Sequence, residues 1–403
     1  MRVLFTVSGW PAHWFPMVPL GWALGAAGHE VRVACPPAQA AAVASTGLTP
    51  VPILGDLDMA FQSRFANLWA ARAGTWPYPW PPLHPVTGEP ADLSTLDFEE
   101  LAGQAKRRVA VESRRGFDAA VGYARKWRPN IVVHDRLSAD GLLAALALGV
   151  PAVASLWGPV GTAETEPQLY PIPVDYTNTF GRYGVRPLTP EAMAHVLDPC
   201  PPALAPPVAG TRMPVRYVPY NGPGGAVDLP PADRPRVCVV WSNSMSRMYG
   251  SAAYLVPTIV AALSTLDVEV VLPAHRDDVA ALGPLPPGVR VLDQAPLHLL
   301  LPGCAAVVHH GGAGCAMTTA VAGLPQLMLP FGEEQDAIAR RFAGTGAATN
   351  LAGHLATVDS IGAAVRDLLD KPAPRDAARQ IADEMRAAPT PARLVADLVA
   401  LAG

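Results

Sequence analysis

The chain has 403 residues, half of them hydrophobic and 16% charged, with a formal net charge of -4 at pH 7. That length exceeds one ordinary core and fits two α/β domains of roughly 200 residues with a cleft between them. The charge balance and the absence of a Lys/Arg block exclude a nucleic-acid or anionic-membrane binder, leaving a small ligand as the expected partner. Cys35, Cys200, Cys238, Cys304 and Cys315 show no CxxC spacing. Neither a disulfide framework nor a zinc site is signalled, and a reducing cytoplasm is the expected compartment.

Arg2 to Val7 is a short apolar strand without a signal-peptide cleavage pattern. Val18, Leu20, Ala23 and Leu24 predict a helix from Pro16 to Ala27, closed by Gly28 before a strand from Val31 to Ala34. Between Gly55 and Pro90 this periodicity fails. Trp69, Trp76, Tyr78 and Trp80 stand there among Pro77, Pro79, Pro81, Pro82 and Pro85. A long aromatic loop is predicted, serving either as a lid for a flat apolar ligand or as a surface segment pinned by its own rings.

Strands over Ile131 to Val133 and Pro151 to Leu156 flank a helix from Ser138 to Leu148. The uncharged stretch Gly141 to Ala163 has the length of a membrane span. Gly149-Val150-Pro151 breaks it into the helix and strand of a buried parallel sheet, so no membrane segment is expected. Proline-rich residues 187–235 hold Asn221-Gly222-Pro223-Gly224-Gly225 and place a linker at 219–235 after a first domain of 1–218. Strands at Val237 to Trp241, Val268 to Leu272, Val289 to Leu292, Ala305 to Val308 and Gln326 to Leu329, with helices over Ser251 to Leu263 and up to about Ala322, repeat the architecture through residue 388. Within 389–403, Pro391 to Leu401 is an amphipathic helix able to pack back on the first domain. The expected fold class is α/β, two Rossmann-like doubly wound domains facing a central cleft.

The segment AAVVHHGGAGCAMTTAVAGLPQLMLP runs a buried strand through His309-His310-Gly311-Gly312-Ala313-Gly314 into a helix. Backbone N–H groups of such a turn, with the positive helix start, favour a phosphate. The missing GK[ST] excludes a Walker site, and the spacing is not GxGxxG. Glycines alone are weak, since tight turns use them anyway; the histidine pair strengthens the signal. One imidazolium, with His309 the candidate, would neutralise a leaving diphosphate. Ser244 in Ser242-Asn243-Ser244 is either a phosphate contact or a helix cap.

Five segments resemble the inverting glycosyltransferases of family 1 with the GT-B fold, especially actinomycete natural-product enzymes. They are RVLFTVSGWPAHWFPMVPLGWALGAAGHEV, PNIVVHDRLSADGLLAALALGVPAV, RYVPYNGPG, LPPGVRVLDQAPLHLLLPGCAAVVHHGGAG and GLPQLMLPFGEEQDAIARR. HWFPMVPL and SLWGP are most similar to transferases acting on aromatic polyketides. The resemblance implies that His13 is the catalytic base, with Asp135 orienting and charging it. On residues alone, His13 is as readily a loop histidine and Asp135 a turn or capping aspartate. Both follow strands of the first sheet, at the carboxyl ends where doubly wound folds bind ligands.

The resemblance also places Glu334 and Gln335 on the donor sugar's hydroxyls, although an exposed helix start favours acidic residues anyway. It puts Gln294 and Ala295 at the nucleotide base, with Gln294 where relatives carry a stacking aromatic. Cys315 stands for the usual hydroxyl residue, Ile338 for a common asparagine, and Glu334 for aspartate, as suits a sugar with fewer hydroxyls. Trp10, Trp69, Trp76 and Trp80 are the candidate acceptor walls.

The implied reaction moves a deoxysugar from a dTDP-sugar co-substrate to a small aromatic or macrocyclic acceptor, through oxygen or carbon, with no metal and no cofactor. An auxiliary activator protein and a homodimer stay open. A nucleotide-sugar epimerase and a non-catalytic accessory protein of the same fold are the competing readings.

Overall fold

β1 (Arg2–Thr6) is an interior strand of a seven-stranded sheet and is buried on both sides. Val3 and Phe5 pack on one face with Leu20 and Leu24 of the helix Val18–Ala26; Leu4 packs on the other with Phe117 and Leu142. A strand apolar on both faces needs helices on both sides, and that is the arrangement found. The computed structural model describes residues 1–274, 284–293 and 295–403.

The first sheet joins β1 to β2 (Glu30–Cys35), β3 (Thr49–Pro52), β4 (Ile131–Asp135), β5 (Ala152–Ser155), β6 (His195–Asp198) and β7 (Thr211–Pro214). Its order is β3-β2-β1-β4-β5-β6-β7, all parallel. The second sheet holds β8 (Arg236–Val240), β9 (Glu269–Pro273), β10 (Val289–Leu292), β11 (Ala306–His309), β12 (Gln326–Met328) and β13 (Ala348–Asn350) in the order β10-β9-β8-β11-β12-β13, again parallel. The uncharged stretch after Gly141 lies in the helix Ala139–Leu148 and in β5. Among the described residues no helix is long and apolar enough to cross a membrane.

The structure corrects the aromatic loop. Its first half is a helix, Met59–Arg72, started by Asp58, whose carboxylate accepts the N–H groups of Ala60 and Phe61. Phe61, Phe65 and Trp69 stack along one side at the four-residue helical spacing. A second helix, Phe98–Trp127, was likewise not predicted; Asp97 caps it, and it buries Phe117, Val121 and Trp127. Thr49–Pro52 and Thr211–Pro214 are the edge strands of their sheet, where proline lacks only an N–H that an edge does not need.

Several connections tie the domains. Arg341 donates to both carboxylate oxygens of Glu164 at 2.9 and 2.8 Å. The segment after Gly74 crosses to the second domain, where Tyr78 donates to the carbonyl of Phe331 and Trp80 Nε1 to that of Tyr249 at 2.7 Å. The final helix, Pro391–Ala402, returns to the first domain and inserts Leu394, Val395 and Leu398 beside Leu20 and Leu24. Leu398 is 0% exposed and Val399 is 42% exposed. Leu398→Ala is therefore expected to destabilise the protein by about 2 to 5 kcal/mol in chemical denaturation, whereas Val399→Ala stays within about 0.5 kcal/mol of the parent.

Candidate active site

β1 and β4 are neighbours, with Thr6 opposite His134, so the residues just past each strand meet at one sheet end. Ser8 N donates to Asp135 Oδ2 at 2.5 Å, and Asp135 Oδ1 accepts the N–H groups of Leu137 and Ser138 at 2.8 and 2.9 Å. Burial pushes the Asp135 carboxyl up, and these donors oppose the rise. His13 lies on the short helix Pro11–Trp14, its Nδ1 3.3 Å from Ser8 Oγ. Among the described residues no hydrogen bond joins Asp135 directly to His13. Ser8 stands between them, so the carboxylate acts on the imidazole through a hydroxyl.

The His13 ring stacks on Trp157, with centroids 3.9 Å apart and planes at 10°. Its pKa is lowered to about 3, first by burial and then by the Arg136 cation. The base candidate is thus neutral. On its other side Trp157 reaches across the cleft: Nε1 donates to Glu334 Oε1 at 2.9 Å. Burial raises the Glu334 pKa, opposed by Arg136 and by the indole N–H.

At the glycine turn the structure corrects the role expected of His309. That side chain is 0% exposed within β11, its Nδ1 accepting Gly311 N–H at 3.0 Å and its Nε2 2.8 Å from Gln326 Oε1. Accepting at Nδ1 puts the proton on Nε2, which donates to the glutamine oxygen. Burial lowers the His309 pKa to about 4, so the ring is a neutral brace for the turn and not an imidazolium. His310 is the histidine on the cleft wall. Among the described residues its Nδ1 is buried without a hydrogen-bond partner, and burial with His309 beside it lowers its pKa to about 3.

Gly311 takes φ +86°, the left-handed region, and a Cβ there would stand 3.1 Å from the carbonyl of Gln335. A Cβ on Gly312 would stand 2.7 Å from His310 Cε1. Beyond them the helix Ala313–Val321 begins without a side-chain cap, leaving its first N–H groups free for an anion.

One cavity of about 1090 Å³ unites these parts. Of the residues singled out from sequence, Trp10, His13, Trp69, Trp76, Ser244, Ala295, Gly312, Ala313, Gly314, Glu334 and Gln335 line it. Gln335 Oε1 is also committed to Gly332 N–H at 2.6 Å. Cys315 joins the lining with its thiol pKa pushed up to about 12 by burial. Trp80 does not line the cavity. Its ring packs on the second domain's core, stacked on Tyr78 at 5.2 Å, so as an acceptor wall it is corrected to a structural anchor. Gln294 lies outside the described residues.

Sequence reasoning missed Ser8, Arg136, Trp157 and His310. Trp157 was visible only as part of SLWGP, and Arg136 only as the neighbour of Asp135. Because the His310 ring leaves no room beside Gly312, Gly312→Ala is expected to weaken thymidine diphosphate binding about tenfold or more in calorimetric titration, with the melting temperature of the free protein little changed.

The first domain matches the family described as erythromycin biosynthesis protein CIII-like, N-terminal domain, over residues 22–241, and the second matches the C-terminal domain of the same family over 257–401. The chain is 30% identical to 3-alpha-mycarosylerythronolide B desosaminyl transferase of Saccharopolyspora erythraea, across 98% of this chain and 97% of that protein. It is 34% identical to aklavinone 7-beta-L-rhodosaminyltransferase of Streptomyces galilaeus, across 98% and 94%. The glycosyltransferase VinC, solved in complex with dTDP, superposes with a TM-score of 0.76 at 30% identity, covering 100% of this chain and 99% of that one. With both domains matched in order and relatives aligned end to end, the chain belongs to the erythromycin biosynthesis protein CIII-like family and is a glycosyltransferase of the GT-B fold.

Proposed function

We propose that the chain transfers a deoxysugar from a dTDP-sugar to an aromatic polyketide aglycone, inverting the anomeric centre, as a step in antibiotic assembly. The observation that carries this reading is the single cavity holding a neutral base on one wall and a glycine turn with a helix start on the other. His13 Nδ1 faces Ser8, which leaves Nε2 for the acceptor. The acceptor O–H gives its proton to Nε2 while its oxygen attacks the anomeric carbon. The bond from that carbon to the diphosphate breaks on the opposite face, and the diphosphate leaves with the electron pair. Helix N–H groups and His310 stabilise the departing charge.

The donor reading draws support from relatives named for desosaminyl and rhodosaminyl transfer and from a neighbour solved with dTDP. It also suits Glu334, one of whose oxygens is already taken by Trp157, leaving fewer acceptors for sugar hydroxyls. Trp10, Phe15, Trp69, Trp76, Tyr170 and Tyr220 favour a flat aromatic acceptor. An epimerase needs no acceptor and would leave those rings without a use.

The test is product mass after incubation with dTDP-glucose or a dTDP-deoxysugar and a panel of aromatic polyketide aglycones. A sugar adduct is expected with the parent and a loss of roughly 10²- to 10⁴-fold with His13→Ala; a changed donor without adduct would favour the epimerase. Because the diphosphate contacts are N–H groups and an imidazole, EDTA is expected to leave turnover intact. The pH profile follows from the lowered His13 pKa. A base with a pKa of about 3 stays unprotonated at every pH above about 4. Hence kcat/KM on the donor is expected to lack the rise of an ordinary histidine between about pH 5 and 8, and a step near 6.5 would show that His13 is not held neutral.

A further inference from the structure

Arg136 directly follows β4, next to Asp135, and is 2% exposed, yet it lines the cleft. Its guanidinium carbon lies 5.3 Å from the centre of the Trp157 ring on which His13 stacks. Nε donates to the carbonyl of Gly161 at 2.7 Å and Nη2 to that of Leu169, so two arms hold the 161–169 loop. Among the described residues Nη1 makes no hydrogen bond, and Arg136 forms no ion pair.

The charged groups that act on it are Glu334, Glu164 and Asp135, with Arg341 opposing them. Each carboxylate is engaged elsewhere. Glu164 grips Arg341, Asp135 collects N–H groups from Ser8, Leu137 and Ser138, and Glu334 holds the Trp157 indole. The hydrogen bonds of the guanidinium go to neutral carbonyls, so Nη1 keeps its donors for an anion arriving in the cleft.

We infer that Arg136 binds the ionised oxygen of the acceptor, so that the site selects an aromatic ring carrying an acidic phenol over a neutral alcohol. The inference rests on the transferase reading above. Arg136 sits with His13 and Trp157 in the first domain, apart from the glycine turn of the second domain to which the transferase reading assigns the diphosphate. The proton balance agrees. The phenol proton passes to His13 Nε2 and on to water, the phenolate oxygen bonds to the anomeric carbon, and the bond to the diphosphate breaks. A cation beside the imidazole disfavours its protonated form and favours the phenolate, and both effects favour an acceptor that ionises readily.

The probe is alizarin, a dihydroxyanthraquinone whose phenol and phenolate absorb at different visible wavelengths, added to the full chain with thymidine diphosphate. The bound phenol is expected to titrate at least about one unit lower than free alizarin, a tenfold shift towards the anion. Arg136→Gln should abolish that shift, and Arg136→Lys, which keeps the charge, should restore most of it. Thermal melting checks that each variant is folded. The inference is overturned if alizarin does not bind, if its titration is unshifted, or if Arg136→Gln leaves the shift in place. Loss of the shift in a folded Arg136→Lys also overturns it, because loop pinning would then be the whole role. So does a tenfold loss of thymidine diphosphate affinity in Arg136→Gln with the dye shift retained, which would assign the cation to the donor.

A second arm measures glycosylated product. The ratio of product on alizarin to product on 2-(hydroxymethyl)anthraquinone should fall roughly a hundredfold in Arg136→Gln, as for removal of one oxyanion donor. If the parent glycosylates neither, the transferase reading fails by itself, while the dye titration still decides the role of Arg136.

Discussion

The indole of Trp157 holds the reacting parts in register: its face supports His13 from the first domain, and its N–H holds Glu334 of the second. An indole can do both at once because its apolar face and its single donor point in perpendicular directions. Everything else in the cleft depends on that register. The two parallel sheets present their carboxyl ends to each other, but sheet ends alone fix positions only coarsely. The Glu164–Arg341 pair, with both oxygens and both guanidinium arms engaged, supplies an orientation that a single contact does not. Its value lies in geometry, since a largely buried ion pair gives back much of its attraction as desolvation.

Burial also decides where charge resides. His13, His309 and His310 all have their pKa lowered into the range of about 3 to 4, so the site carries no imidazolium near neutrality. Positive potential then comes from the helix start at Gly312 and from Arg136. These two sources are spatially separate, the first in the second domain and the second beside the base. A site with fixed, separated dipoles and charges needs little rearrangement when charge moves from acceptor to diphosphate. Ser8 fits the same economy. It lets Asp135 polarise His13 through a hydroxyl while the carboxylate keeps its backbone N–H partners.

Strands β3, β6, β7 and β13 escaped, but the other strands of both sheets were legible because parallel strands buried on two faces read as continuous apolar runs, as in Ile131–Asp135 and Ala306–His309. The helix Met59–Arg72 was not, because its apolar residues Phe61, Phe65 and Trp69 are spaced by four within a stretch whose prolines, further on, dominate the pattern. The cavity wall was legible where a local motif stands, at the glycine turn and at Glu334-Gln335, which line it. Which histidine of the pair meets the ligand was not. That depends on which of two consecutive side chains β11 turns inward, and a hydrogen bond to Gln326, 17 residues away, is what holds His309 there. Trp157 and Arg136 acquire their roles only from residues over a hundred positions distant or on a loop that folds back, which no local pattern encodes.

The aromatic segment settles how freely the cleft opens. Tyr78 is 8% exposed, donates to the carbonyl of Phe331 and meets the rings of Trp76, Trp80, Tyr249, Phe331 and His354. Domains joined only by a linker separate at small cost, as their interface is small and polar. Here separation exposes buried rings and breaks hydrogen bonds at Tyr78, Trp80 and Asn67, which donates to the Met248 carbonyl at 2.9 Å. Trp76 belongs to the same strap and lines the cavity, so its position follows the second domain although its chain belongs to the first. That wall of the cavity is therefore tied to the second domain as well as to the first. On the transferase reading, a flat ring bound against Trp76 would take its position from the second domain, the domain that also carries the glycine turn.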